Sequence, residues 1–246
     1  MRSSAGRIAR QFPARAGVTI GYTATFVATT LVFRGLPVRD RTAWLAWTST
    51  NLENLRDHPL PALVASGLFT EGSLVGWALL GLVGLGVTNR ALGNWRTAAL
   101  VVSAHVGGTL ISQGILAYRI ASGHAAAADR YITDVGPSYV VTCALVAGAV
   151  YGAGVQRLAA AGGFVLFAPT AFPGLSDLVV SSVGHLCAVV FGVALGWPLW
   201  RSARRRAAGA AVARTDKPGV SSPKVSRPAL VDLPTDPDRA PFGKLC

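Results

Sequence analysis

The sequence predicts an all-α integral membrane protein: a bundle of six transmembrane helices with an interfacial first outside loop. Three observations predict it. The chain is 51% hydrophobic and only 14% charged, where soluble domains carry about 25% charged residues. Most of its arginines and lysines sit at the two ends, flanking long internal stretches that hold none. Six of those stretches approach the roughly 17–25 apolar residues that a spanning helix needs.

The first segment, about 17 to 34 (GVTIGYTATFVATTLVFR), is rich in threonine, whose hydroxyl can bond back to helix carbonyls. The second reaches from about 61 to 88, interrupted by Glu71, Gly72 and Ser73. The third covers 96 to 118, the fourth 135 to 153, and the sixth 177 to 200. The fifth, 156 to 170, is short and ends at Pro169 and Pro173. Between the first two segments, Trp44, Trp47, Leu52 and Leu55 recur at helical spacing, which predicts a helix lying in the headgroup plane.

An even number of spans places Arg2, Arg7, Arg10, Arg15, Arg90, Arg96, Arg157, Arg201, Arg204, Arg205 and Arg206 on one side. Lys and Arg are retained on the cytoplasmic face, so both termini are expected in the cytoplasm. The first outside loop is the exception, with Arg34, Arg39, Arg41 and Arg56 against Asp40, Glu53 and Asp57. The predicted organisation is a basic cytoplasmic N-terminus over 1–16, a membrane domain over 17–200, and a basic, proline-rich disordered cytoplasmic tail over 201–246.

The net charge of +12 does not point to nucleic acid, because the basic residues flank apolar segments instead of lining a polar, aromatic face. The lipid bilayer is the expected partner. Cys143, Cys187 and Cys246 form no CxxC or Cys/His spacing, so neither a metal nor another cofactor is expected. The first apolar run lacks a small-residue cleavage pattern and reads as a retained anchor.

Polar groups inside spans are costly and mark candidate sites. Ser138 opens the fourth span in DVGPSY; alone it reads as a helix start, with Asp134 capping and Pro137 in the first turn. His185 lies near the start of the sixth span, which enters from the same side, so the two residues fall within roughly 6 Å of one depth at about 1.5 Å rise per residue. Such a pair suits a nucleophile and its general base. Gly192 and Gly196, four apart, suit close helix packing against the Ala- and Gly-rich fourth span. His105, with Ser103, Thr109, Ser112 and Gln113 on the third span, reads as an interhelical hydrogen-bonding group; with Glu71 it offers a proton or ion path.

The order of these features resembles the rhomboid family of intramembrane serine proteases. Gly136-Pro137-Ser138-Tyr139 is similar to the family's GxSx motif opening the fourth helix, and Gly184-His185 to its small residue and histidine in the sixth. Gly192 and Gly196 match the same helix, Ala91 to Arg96 the turn before the third, and His58 to Phe69 the approach to the second. The resemblance runs from about 17 to 200. It implies catalysis by Ser138 and His185, supported by Gly136, Tyr139 and Gly184, on single-span membrane protein substrates. Family proteases also carry His-x4-His-x3-Asn in the second helix to hold the oxyanion; here those positions are Glu71, Gly76 and Leu80. Pro137 removes one backbone N–H beside Ser138. Three functions follow: a Ser-His protease, a non-catalytic rhomboid-fold protein that binds membrane partners, and a small transporter or channel carried by Glu71 and His105.

Overall fold

The computed structural model describes residues 4–215, with side chains for 16–209. Among them the regular structure is helical: α1 (Ser4–Gly35), α2 (Val38–Thr48), α3 (Leu52–Asp57), α4 (Pro59–Ser66), α5 (Leu74–Leu92), α6 (Asn94–Ala121), α7 (Ser138–Tyr151), α8 (Gly154–Ala171), α9 (Val180–Ala194) and α10 (Gly196–Thr215), with a 3-10 turn at Ala127–Tyr131. Four stretches are long and apolar enough to cross a membrane: Ala16–Gly35, Leu74–Leu92, Asn94–Ala121 and Val180–Gly209. The last of these joins α9 to the start of α10. Ser138–Tyr151 is a shorter apolar helix.

Local chemistry explains where the elements depart from the expected segments. The segment expected over 61–88 is two helices, because the Ser73 hydroxyl accepts from the Gly76 amide and caps a new start at α5. The single interfacial helix expected around Trp44 and Leu55 is also two. Asn51 caps α3 by accepting from the Asn54 amide, and the Asn54 side chain donates to the carbonyls of Ala46 and Ser49, folding α3 back on the end of α2. The helix expected to end at 200 continues past Trp200 to Thr215. The remainder of the expected disordered tail, 216–246, lies outside the described residues.

The centre of the fold is α7, which packs against α5, α6, α8 and α9. Every side chain from Tyr139 to Ala147 is buried, so this helix has no exposed face over that length. A helix apolar all round belongs in an interior. Missing side chains let its neighbours approach. A Cβ at Gly84 of α5 would stand 3.0 Å from the Leu145 amide nitrogen, and one at Gly148 would stand 3.0 Å from Ala160 Cβ of α8. At Gly192 of α9 it would stand 3.1 Å from the Cys143 carbonyl oxygen, and at Gly196 2.4 Å from the Tyr151 ring. Both glycines of the expected packing pair therefore sit where backbones or rings come closest.

Helix α1 holds the connector between α4 and α5. Tyr22 OH donates to the Gly67 carbonyl at 2.6 Å, Thr29 donates to Leu68 O, and Arg34 donates to Gly72 O. These are carbonyls of the connector between α4 and α5, and an unpaired carbonyl in an apolar setting is costly. The threonine-rich composition of α1 thus supplies hydrogen bonds to a neighbour as well as to itself.

Candidate functional site

Ser138 is the first residue of α7 and is half-buried. The chain reaches it through Gly136, whose φ of 132° is a conformation that side chains rarely adopt, and Pro137, which makes no side-chain cap. Asp134 does not cap α7 as expected. Its carboxylate instead accepts from Tyr139 OH at 3.0 Å and from Thr50 Oγ1 at 3.2 Å.

Residues 134–136 are held by parts of the chain far away in sequence. The Thr50 amide donates to the Asp134 carbonyl at 3.0 Å, the Asp134 amide to Ser49 Oγ at 2.9 Å, and the Gly136 amide to the Ser66 carbonyl at 2.7 Å. The link between α2 and α3 and the end of α4 therefore fix the entry into α7. Burial pushes the Asp134 carboxyl up to about 6, with the Tyr139 and Thr50 hydroxyls pulling the other way.

His185 on α9 is 6% exposed. Its Nδ1 lies 2.7 Å from the carbonyl oxygen of Ala171, the last residue of α8. A carbonyl only accepts, so Nδ1 carries the proton and Nε2 presents its lone pair. That Nε2 is buried and has no hydrogen-bond partner. Three rings meet the imidazole edge to face: Tyr139 at 5.2 Å, Phe167 at 5.4 Å and Phe172 at 6.4 Å between centroids. Gly184 makes the Tyr139 contact possible, since a Cβ there would stand 2.1 Å from Tyr139 Cζ.

Ser138 and His185 thus flank one residue, Tyr139, and no hydrogen bond joins them. Tyr139 also meets the ring of His105 on α6, at 6.1 Å between centroids. His105 makes the interhelical bonds expected of it: Nε2 lies 2.8 Å from the Leu63 carbonyl oxygen and 3.3 Å from Ser66 Oγ, both on α4. Its Nδ1 is buried and unpartnered. Ser138 shares a narrow cleft, with no room for a water molecule, with Thr50, Ser66, His105, Asp134 and Tyr139, and His185 does not line it.

Of the second-helix positions, Gly76 and Leu80 lie on α5 and offer no side-chain donor, and Glu71 is exposed in the connector. No hydrogen bond or ion pair joins Glu71 to His105. Among the described residues no group of three His, Cys, Asp or Glu side chains is arranged to hold a metal. Sequence reasoning passed over Thr50 and Ser66. The signal for Ser66 was its place just before the break at Gly67, but nothing in the sequence tied it to residue 136.

The family model described as "Rhomboid-like protein" matches residues 12–206. No curated protein and no solved structure matches the chain. The match takes in α7 with Ser138, α9 with His185, and the helices that surround them. This chain, a membrane protein by the apolar length of its helices, therefore belongs to the rhomboid-like family.

Proposed function

We propose that this protein is an intramembrane serine protease that cleaves single-span membrane proteins with Ser138 as nucleophile and His185 as general base. One observation carries the reading: the Ala171 carbonyl fixes the His185 proton on Nδ1, which leaves Nε2 as a buried, unoccupied acceptor on a helix packed against α7. That is the protonation state a base needs before it takes a proton from a hydroxyl. Catalytic hydrogen bonds are commonly open in the empty enzyme and close when substrate binds.

Ser138 Oγ bonds to the scissile carbonyl carbon while its proton passes to His185 Nε2 and the carbonyl π pair moves onto oxygen. The tetrahedral intermediate collapses, the C–N bond breaks, and the amine leaves with the proton from Nε2. Water then attacks the acyl-enzyme, again giving a proton to Nε2, and the acid product departs as Ser138 is restored. In this reading six helices span the bilayer, α7 and α8 included, and both termini are cytoplasmic.

The test is cleavage of a generic single-span substrate by purified protein in liposomes. Wild type is expected to cut, and Ser138→Ala and His185→Ala to fail. Equal cleavage by Ser138→Ala, or none by wild type, would sink the proposal. A second reading, a non-catalytic protein that binds membrane partners, is favoured by the bare α5 surface at Gly76 and Leu80. It predicts that crosslinking to partners survives loss of both Ser138 and His185.

A further inference from the structure

An enzyme that forms an oxyanion needs donors for it, and removing one such donor costs about a hundredfold to a thousandfold in rate. Helix α5 carries none at Gly76 or Leu80, and Pro137 removes a backbone N–H. The polar side chains that do line a cleft with Ser138 come from elsewhere: Thr50 from the α2–α3 link, Ser66 from the end of α4, and His105 from α6.

Their hydrogen bonds decide which of them is free to donate. Thr50 Oγ1 is committed to Asp134, its hydroxyl directed at the carbonyl and carboxylate oxygens at 3.0 and 3.2 Å. His105 Nε2 stands 2.8 Å from the Leu63 carbonyl, so it is the protonated nitrogen and it satisfies that carbonyl. Ser66 Oγ is 3.4 Å from the same carbonyl, a long contact, and 3.3 Å from His105 Nε2, from which it can accept. Ser66 donates to that carbonyl only across 3.4 Å, the longest of these contacts, so its proton is the one that turns into the cleft at least cost. Ser66 is 1% exposed and His105 8%, so that hydroxyl acts in a water-poor setting, where a donor counts for more.

We infer that the cleft bounded by Ser66, His105 and Ser138 is the oxyanion site, with the Ser66 hydroxyl as donor and His105 as the residue that positions it. The inference rests on the protease reading. The tetrahedral oxygen formed at the substrate carbonyl accepts from Ser66 Oγ–H and from the first-turn amides of α7, which lack partners within the helix. No proton is transferred to it. His105 stays bonded to Leu63 throughout. Gly67 permits this arrangement, since a Cβ there would stand 3.3 Å from His105 Cε1 and Nε2.

The experiment measures kcat and KM of the full chain in liposomes, together with the rate at which a fluorophosphonate labels Ser138. Ser66→Ala is expected to lower kcat and the labelling rate about a hundredfold or more with KM little changed, and Ser66→Thr, which keeps the hydroxyl, to recover most of both. His105→Ala is expected to cost about tenfold in kcat while leaving the pH profile of kcat/KM, set by His185, in place. A kcat for Ser66→Ala within twofold of wild type, with wild type active, would overturn this inference alone. So would equal losses in Ser66→Ala and Ser66→Thr. Wild type that neither cuts nor labels would overturn the protease reading and this inference together.

Discussion

The two histidines beside Tyr139 are built alike and surrounded differently. Each gives one ring nitrogen to a main-chain carbonyl, His185 to Ala171 and His105 to Leu63, and each leaves the other nitrogen buried without a partner. His185 sits among Tyr139, Phe167 and Phe172, where nothing else competes for Nε2. His105 sits among hydroxyls, with Ser66 sharing its bonded nitrogen. A carbonyl clamp therefore fixes a tautomer in both, and the neighbours decide what that tautomer is worth. In the proposed reading the aromatic cage leaves a base, and the hydroxyl neighbour an organiser.

The largest expected effect breaks this contrast at its stronger end. His185→Ala should reduce kcat by about 10²–10⁴, the range of a lost general base, where His105→Ala loses far less. Equal losses at the two positions, read from the same liposome assay, would erase the distinction. The next acts on the ring that both histidines contact. Gly184→Ala puts a carbon 2.1 Å from Tyr139 Cζ, so the ring or the helix must shift. Overpacking of that kind costs about 1–3 kcal/mol, to be seen as a lower Tm in detergent. An unchanged Tm would mean Tyr139 is free to leave His185.

The smallest effect concerns the anchor of Tyr139. The Asp134 carboxyl is raised from 3.8 to about 6 in the folded protein. The folded state thus holds its proton where the unfolded chain has lost it. This contribution to stability is complete below about pH 4 and is lost as pH rises through about 6. A Tm that falls modestly across that window, and flattens in Asp134→Asn, is the expected outcome. Tyr139→Phe removes a donor that favours the carboxylate, so the window should move to higher pH. A Tm that rises across the window in wild type would contradict the burial of Asp134.

Much of the bundle was legible in the sequence because spanning helices satisfy their own backbone and announce themselves by composition alone. The apolar runs at 17–34 and 96–118 lie within α1 and α6, two of the stretches long and apolar enough to cross. What escaped were the places where a short polar side chain outweighs a run of apolar ones. The interruption at Glu71, Gly72 and Ser73 was legible but not that Ser73 caps a new helix there, and Asn51 and Asn54 fold the first loop in two. The site was legible in the same uneven way. Ser138 and His185 stand out because hydroxyl and imidazole are conspicuous at those depths. Ser66 does not, because its meaning depends on the Gly136 amide bonding to its carbonyl and on a histidine 39 residues away. Asp134 read as a helix cap from spacing alone, yet Thr50, 84 residues away, and Tyr139 draw its carboxylate elsewhere.

The shortness of α7 bears on how its ends are accommodated. At 14 residues it is about 21 Å long, below the roughly 30 Å of a hydrocarbon core. If it crosses, as the six-span reading has it, it is too short to reach both faces unaided, and the irregular stretch ahead of it would carry bare amides and carbonyls into lipid. Those groups find their partners at Ser49, Thr50 and Ser66, which are synthesised long before. In the six-span reading the central helix therefore leans on the first half of the chain for the polar partners that lipid does not supply.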